Sequence, residues 1–276
     1  MGREPLTESI IKPRYVYIRN NPTTSIDIIG LENCPEIPLP TPNQPSQCKP
    51  IVYIFIGGAR DSKYGPMYDC MWQSLGYCTG VCKTNSTKKC GCQVGPILSD
   101  GIAVYYHWTS RDAILKDIRG YKRVCPHSRI VLLGHSYGGD TAMDVSERLE
   151  NITNITLVTL DPVSDFDSYN WSNKRPSNID YWINAYVGKG VFDLFSPVYG
   201  AGQAVSFVGT FLTTFSISNS IASGGGKWGY ENAADVNISY PLYGSIRHGD
   251  AYELLAPSTG ERPIDYLNEF LFPKKQ

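Results

Sequence analysis

Net charge is nearly absent from this chain of 276 residues: 25 Lys and Arg face 26 Asp and Glu, for a formal charge of -1. A protein that grips phosphate backbones needs a surplus of cations, so nucleic acid is excluded as an expected partner. Histidine is scarce, with four in all, and a histidine base must be one of His107, His127, His135 and His248. No phosphate-cradling loop, dinucleotide fingerprint or clear catalytic metal cluster occurs, so no cofactor and no catalytic metal are expected. The opening residues, Met1-Gly2-Arg3-Glu4-Pro5-Leu6-Thr7-Glu8, lack the apolar core of a secretory signal. Leu6 stands where an N-myristoylation signal has Ser or Thr. Charge is missing altogether from residues 194–226. That stretch is too rich in Gly, Ser and Thr to read as a membrane span. It reads as an apolar cap or lid, with a buried helix as the alternative.

Cysteine, by contrast, is plentiful: the eight are Cys34, Cys48, Cys70, Cys78, Cys82, Cys90, Cys92 and Cys125. Their even number and crowding suit disulfides in an oxidising compartment. Zinc competes, since Cys78, Cys82, Cys90 and Cys92 offer four thiolates, although not in the usual paired spacing. Reduced thiols are the third reading. Residues 35–50 hold six prolines and read as an extended connector that a Cys34–Cys48 bond would clip.

Apolar runs of strand length occur at 14–19, 51–56, 102–106, 129–133, 155–160 and 181–187. Helical spacing occurs at 109–123, where Thr109 or Ser110 is the expected cap, at 138–150, and at 262–271, with Pro263 in the first turn. Strands alternating with helices predict an α/β fold with a doubly wound, mostly parallel sheet. The expectation is a single domain over 1–276, with a cysteine-rich insertion at 64–99 and a cap insertion at 189–234.

The 129–133 run leads directly into Gly134-His135-Ser136-Tyr137-Gly138. A strand, a G-x-S-x-G pentapeptide and a helix in succession form the setting of a nucleophile elbow. Its sharp turn lifts the serine hydroxyl above the sheet and tolerates only glycine two residues to either side. A serine hydroxyl needs a base to take its proton and an acid to orient that base. In the chain order Ser, acid, His, the base is His248, within Arg247-His248-Gly249-Asp250. His135 sits inside the elbow with its side chain directed away from Ser136. Asp161, at the end of Leu157-Val158-Thr159-Leu160-Asp161-Pro162, is the expected acid, ahead of Asp165, Asp167 and Asp193. The oxyanion requires two N–H donors. The first is expected from Tyr137, and the second from Gly58 or Ala59 in the glycine-rich loop after 51–56.

Together, Gly134-His135-Ser136-Tyr137-Gly138-Gly139 and Leu160-Asp161-Pro162 resemble the α/β-hydrolase superfamily. Within it they are most similar to the lipase branch, whose acid follows the strand directly after the elbow. The resemblance covers residues 51–187 and the His248 loop. It implies Ser136, Asp161 and His248 as nucleophile, acid and base, with Tyr137 and the Gly57-Gly58 loop as the oxyanion hole. Two features depart from the pattern: Gly57-Gly58-Ala59-Arg60 replaces a common His-Gly pair, and the cysteine-rich insertion is extra. The cysteines, the lack of a visible signal and the apolar cap are also similar to bacterial lipase effectors delivered by a type VI secretion system into a neighbour's periplasm. That likeness implies a periplasmic or extracellular site of action, with a secretion-machinery carrier or an inhibitor protein as partner. The expected activity is hydrolysis of lipid acyl esters at a membrane surface. The same machinery fits a thioesterase or small-ester esterase, and a non-catalytic hydrolase-fold binding protein is the reading from another class.

Overall fold

A computed structural model of the chain describes residues 39–40, 42–58, 65–76, 97–98, 101–164, 175–188, 228–241, 245–246 and 248–273. The strand expected at 14–19, the cysteines from 78 to 92 and residues 189–227 of the expected cap lie outside the described residues.

The described strands are β1 (Ile51–Gly57), β2 (Ile102–His107), β3 (Arg129–His135), β4 (Ile155–Leu160), β5 (Ile179–Val187) and β6 (Val236–Tyr240). They form one sheet in the order β2-β1-β3-β4-β5-β6, and every neighbouring pair is parallel. The helices are α1 (Pro66–Ser74), α2 (Arg111–Val124), α3 (Tyr137–Arg148), α4 (Ala251–Leu255) and α5 (Pro263–Leu271). A parallel sheet needs cover on both faces, so its central strands are apolar throughout. Accordingly every residue of β1 is buried. Side chains alternate between faces along a strand. Ile51, Tyr53 and Phe55 join a core with Met67 and Met71 of α1, Leu254 of α4 and Leu267 of α5. Val52, Ile54 and Ile56 join a second core with Ile114 and Ile118 of α2 and Met143 of α3. The sheet is therefore covered on both sides, as the alternation of strands and helices predicted.

The expected disulfide partner of Cys48 is corrected. Cys48 is bonded to Cys125, the residue that ends α2, with 5.5 Å between Cα atoms. The end of the connector, Cys48 and Lys49, lies against the end of α2. The Lys49 N–H donates to the Tyr121 hydroxyl at 2.9 Å, and the Ser128 hydroxyl donates to the Lys49 carbonyl at 2.6 Å. These bonds bring Cys48 to the end of α2. The same corner holds a buried ammonium. Lys122 Nζ donates to the carbonyls of Pro126 and Ser128, both at 2.8 Å, and of Thr153 at 3.1 Å. Burial pushes its pKa down, and nearby Arg129 adds to the effect.

The sequence reading has no counterpart for α1, β6 and α4. α1 lies at the start of the cysteine-rich stretch and buries Met67, Cys70 and Met71. β6 is a short edge strand whose Asn237 and Ser239 dilute its apolar pattern. Trp228 and Glu231, near the end of the expected cap insertion, are fully buried. The Trp228 N–H donates to the Pro162 carbonyl at 3.0 Å, and its indole N–H to the Ser164 hydroxyl at 2.6 Å. Trp228 belongs to the second core. Among the described residues no helix is long and apolar enough to cross a membrane.

Candidate active site

In an open parallel sheet, ligands sit beyond the carboxyl ends of the strands where the strand order reverses. Here the order reverses between β1 and β3, because the chain runs outward from β1 to β2 and then returns past β1 to β3. Gly58 follows β1 and Ser136 follows β3, so both lie at that point. A Cβ placed on Gly58 would stand 2.6 Å from Ser136 Cβ and 3.1 Å from its Oγ. The backbone after β1 thus approaches the serine as closely as a chain can.

Ser136 has φ 56° and ψ -128°, outside the regions L-residues ordinarily occupy. Such a conformation persists only when the surroundings over-determine it. The Ser136 N–H donates to the Leu160 carbonyl at 3.1 Å, and its own carbonyl accepts from the N–H groups of Gly139 at 2.9 Å and Val163 at 3.1 Å. β3 and α3 also meet too closely for side chains. A Cβ on Gly134 would overlap the Gly138 carbonyl, and one on Gly138 would overlap the Ile56 carbonyl. This is the steric requirement the motif predicts.

Asp161 leaves the end of β4 with φ 44°, fixed by its N–H on the Ala185 carbonyl at 2.6 Å. Its carboxylate is fully buried. One oxygen accepts the Val187 N–H at 2.9 Å, and the other meets His248 Nδ1 at 2.7 Å. A carboxylate only accepts, so Nδ1 carries the proton. The lone pair of Nε2 then faces the Ser136 hydroxyl, 3.0 Å away. Ser136, Asp161 and His248, expected from widely separated segments, are joined in one hydrogen-bonded chain.

Tyr137 is the first residue of α3, and first-turn N–H groups point out of a helix's amino end. The helix dipole adds partial positive charge there. The Tyr137 ring packs against Trp108, with centroids 5.2 Å apart. Ala59, the alternative oxyanion donor, and the rival acids Asp165, Asp167 and Asp193 lie outside the described residues. His127 is exposed on the turn before β3, and His107 bonds Thr109 through Nδ1 at 2.8 Å. Among the described residues no group of three or more His, Cys, Asp or Glu side chains is placed to hold a metal ion.

Sequence reasoning missed the contact of His135 with His248. Its ring lies 4.9 Å from that of His248, and its Nε2 meets the His248 backbone carbonyl at 2.5 Å. No motif signals this, because the partner is 113 residues away. Burial, with His248 beside it, pushes the His135 pKa down to about 3. Compared with known proteins, the chain matches no family model and no curated sequence.

Proposed function

We propose that this chain is a serine carboxylic-ester hydrolase of the α/β-hydrolase type that acts on lipid acyl esters. One observation carries the reading: the unbroken chain from Ser136 Oγ through His248 to buried Asp161, at 3.0 and 2.7 Å. As Ser136 Oγ attacks the ester carbonyl carbon, His248 Nε2 takes the hydroxyl proton. Asp161 holds the imidazole in the required tautomer and stabilises the imidazolium that forms. The oxyanion receives the Tyr137 N–H and an N–H from the loop that begins at Gly58. Collapse breaks the ester C–O bond, and His248 returns the proton to the departing alcohol. A water then loses its proton to His248 and attacks the acyl-enzyme, which releases the carboxylic acid and restores Ser136.

The preference for lipid rests on the charge-free residues 194–226. The proposed place of action is an oxidising compartment such as a periplasm or the extracellular space. The Cys48–Cys125 bond is weakly consistent with that. A secretion-machinery carrier or an inhibitor protein remains the proposed partner. The test is the rate of acyl release from long-chain phospholipid vesicles and from a soluble short-chain ester, for wild type and Ser136→Ala. Faster turnover of vesicles, abolished by Ser136→Ala, supports a lipase. Turnover of the soluble ester alone points to an esterase or thioesterase, and turnover of neither points to a binding protein.

A further inference from the structure

Ser136 and Asp161 leave directly from the ends of adjacent strands, β3 and β4. His248 lies in a turn shortly before α4. Its imidazole must span two fixed oxygens. His135 stands next to it. Its side chain is nearly fully buried and serves none of the proton transfers described above.

The carbonyl of His248 can only accept, so the 2.5 Å contact assigns the proton to His135 Nε2. His135 Nδ1 is then a bare lone pair, buried and without a hydrogen-bond partner among the described residues. The ring is therefore a neutral, one-ended donor. We infer that His135 is a positioning residue: from the end of β3 it holds the main chain of His248, so that the imidazole stays aligned between Asp161 and Ser136. The inference rests on the hydrolase reading for its kinetic consequence, while the alignment itself is independent of any substrate.

The residue type suits the task. A lysine or arginine could donate to the same carbonyl, but it would place a fixed cation beside the imidazolium that forms on His248. The two rings lie 4.9 Å apart, close enough for like charges to oppose one another. A neutral imidazole donates without that penalty. Its depressed pKa agrees, since burial disfavours the charged ring and a proton on Nδ1 would find no acceptor among the described residues.

The experiment compares wild type with His135→Phe, His135→Gln and His135→Asn. Phe fills the ring's space without a donor. Gln carries an amide N–H near the place of Nε2, and the shorter Asn does not reach it. Two quantities are read: the rate at which a fluorophosphonate labels Ser136, and the downfield proton resonance of His248 Nδ1–H on Asp161. With His135→Phe and His135→Asn the labelling rate is expected to fall roughly 10- to 100-fold, the scale of a misplaced catalytic group, and the resonance to broaden. With His135→Gln both are expected to recover most of the way.

Equal rates and an unchanged resonance in all four proteins would overturn the inference. So would a loss in His135→Gln as large as in His135→Phe, which marks a packing role. If His135→Phe does not fold, the Gln and Asn pair makes the same comparison. If wild type itself is not labelled, the hydrolase reading fails, and the resonance alone decides the positioning role.

Discussion

Ser136 and Asp161 both carry positive φ, a conformation that costs an L-residue on the order of 1–3 kcal/mol. Each is held there by main-chain bonds to a neighbouring strand, so the strain falls on the two groups whose direction the proposed mechanism depends on most. Asp161→Asn separates orientation from charge. The amide oxygen still accepts the Val187 N–H, but an NH2 then faces His248 Nδ1 and favours the wrong tautomer. The expected result is a roughly 10³- to 10⁴-fold fall in kcat with little change in KM, measured by steady-state ester hydrolysis. His135 makes a second prediction at this scale. Desolvation, with His248 beside the ring, lowers its folded pKa to about 3 from an ordinary 6.5, while Asp161 and the His248 carbonyl bond pull the other way. Between those values the unfolded chain binds the additional proton. Stability is therefore expected to fall as pH drops from about 6.5 toward 3, on the order of 1 kcal/mol per pH unit. Urea midpoints at pH 7, 5 and 4 check this, and His135→Gln is expected to flatten the slope. That Ser136, Asp161 and His248 meet was legible in sequence because each sits in a local pattern and chain order selects among the histidines. The contact of His135 with His248 was not, because its partner is a main-chain carbonyl that only the fold brings near.

At the scale of elements, the site is where β1 and β3 end side by side and the chain departs from them at Gly58 and Ser136. Gly58→Ala tests this closeness, because the added Cβ would meet Ser136 Cβ at 2.6 Å. The expected outcome is loss of about two orders of magnitude in kcat with a small change in thermal stability, read by activity and calorimetry on one preparation. An unchanged kcat would mean that the loop after β1 does not border the reacting atoms. Strands β1 to β5 were legible because buried parallel strands are continuous apolar runs. β6 was not, since an edge strand that carries Asn237 and Ser239 has no such run. α1 was hidden by the surrounding cysteines, although its Met67 and Met71 fill the core against β1. Spacing among cysteines likewise cannot tell which pair meets, and the partner of Cys48 followed from the contacts of Cys48 and Lys49 with the end of α2.

Across the whole molecule, two core layers cover the sheet, and the Cys48–Cys125 bond closes a loop of 77 residues. Replacing both cysteines by alanine is expected to lower stability by about 4.5 kcal/mol in the chain-entropy view, seen as a lower denaturation midpoint. Activity at low denaturant should survive, because the bond lies at the end of α2 and not at the carboxyl edge that carries Ser136. The central claim is that the whole fold delivers an activated serine at that edge. The most direct measurement is fluorophosphonate labelling of wild type and Ser136→Ala, in buffer and in detergent micelles, read by intact mass. One adduct on wild type and none on Ser136→Ala is the predicted result. No adduct on wild type in either medium would contradict the account.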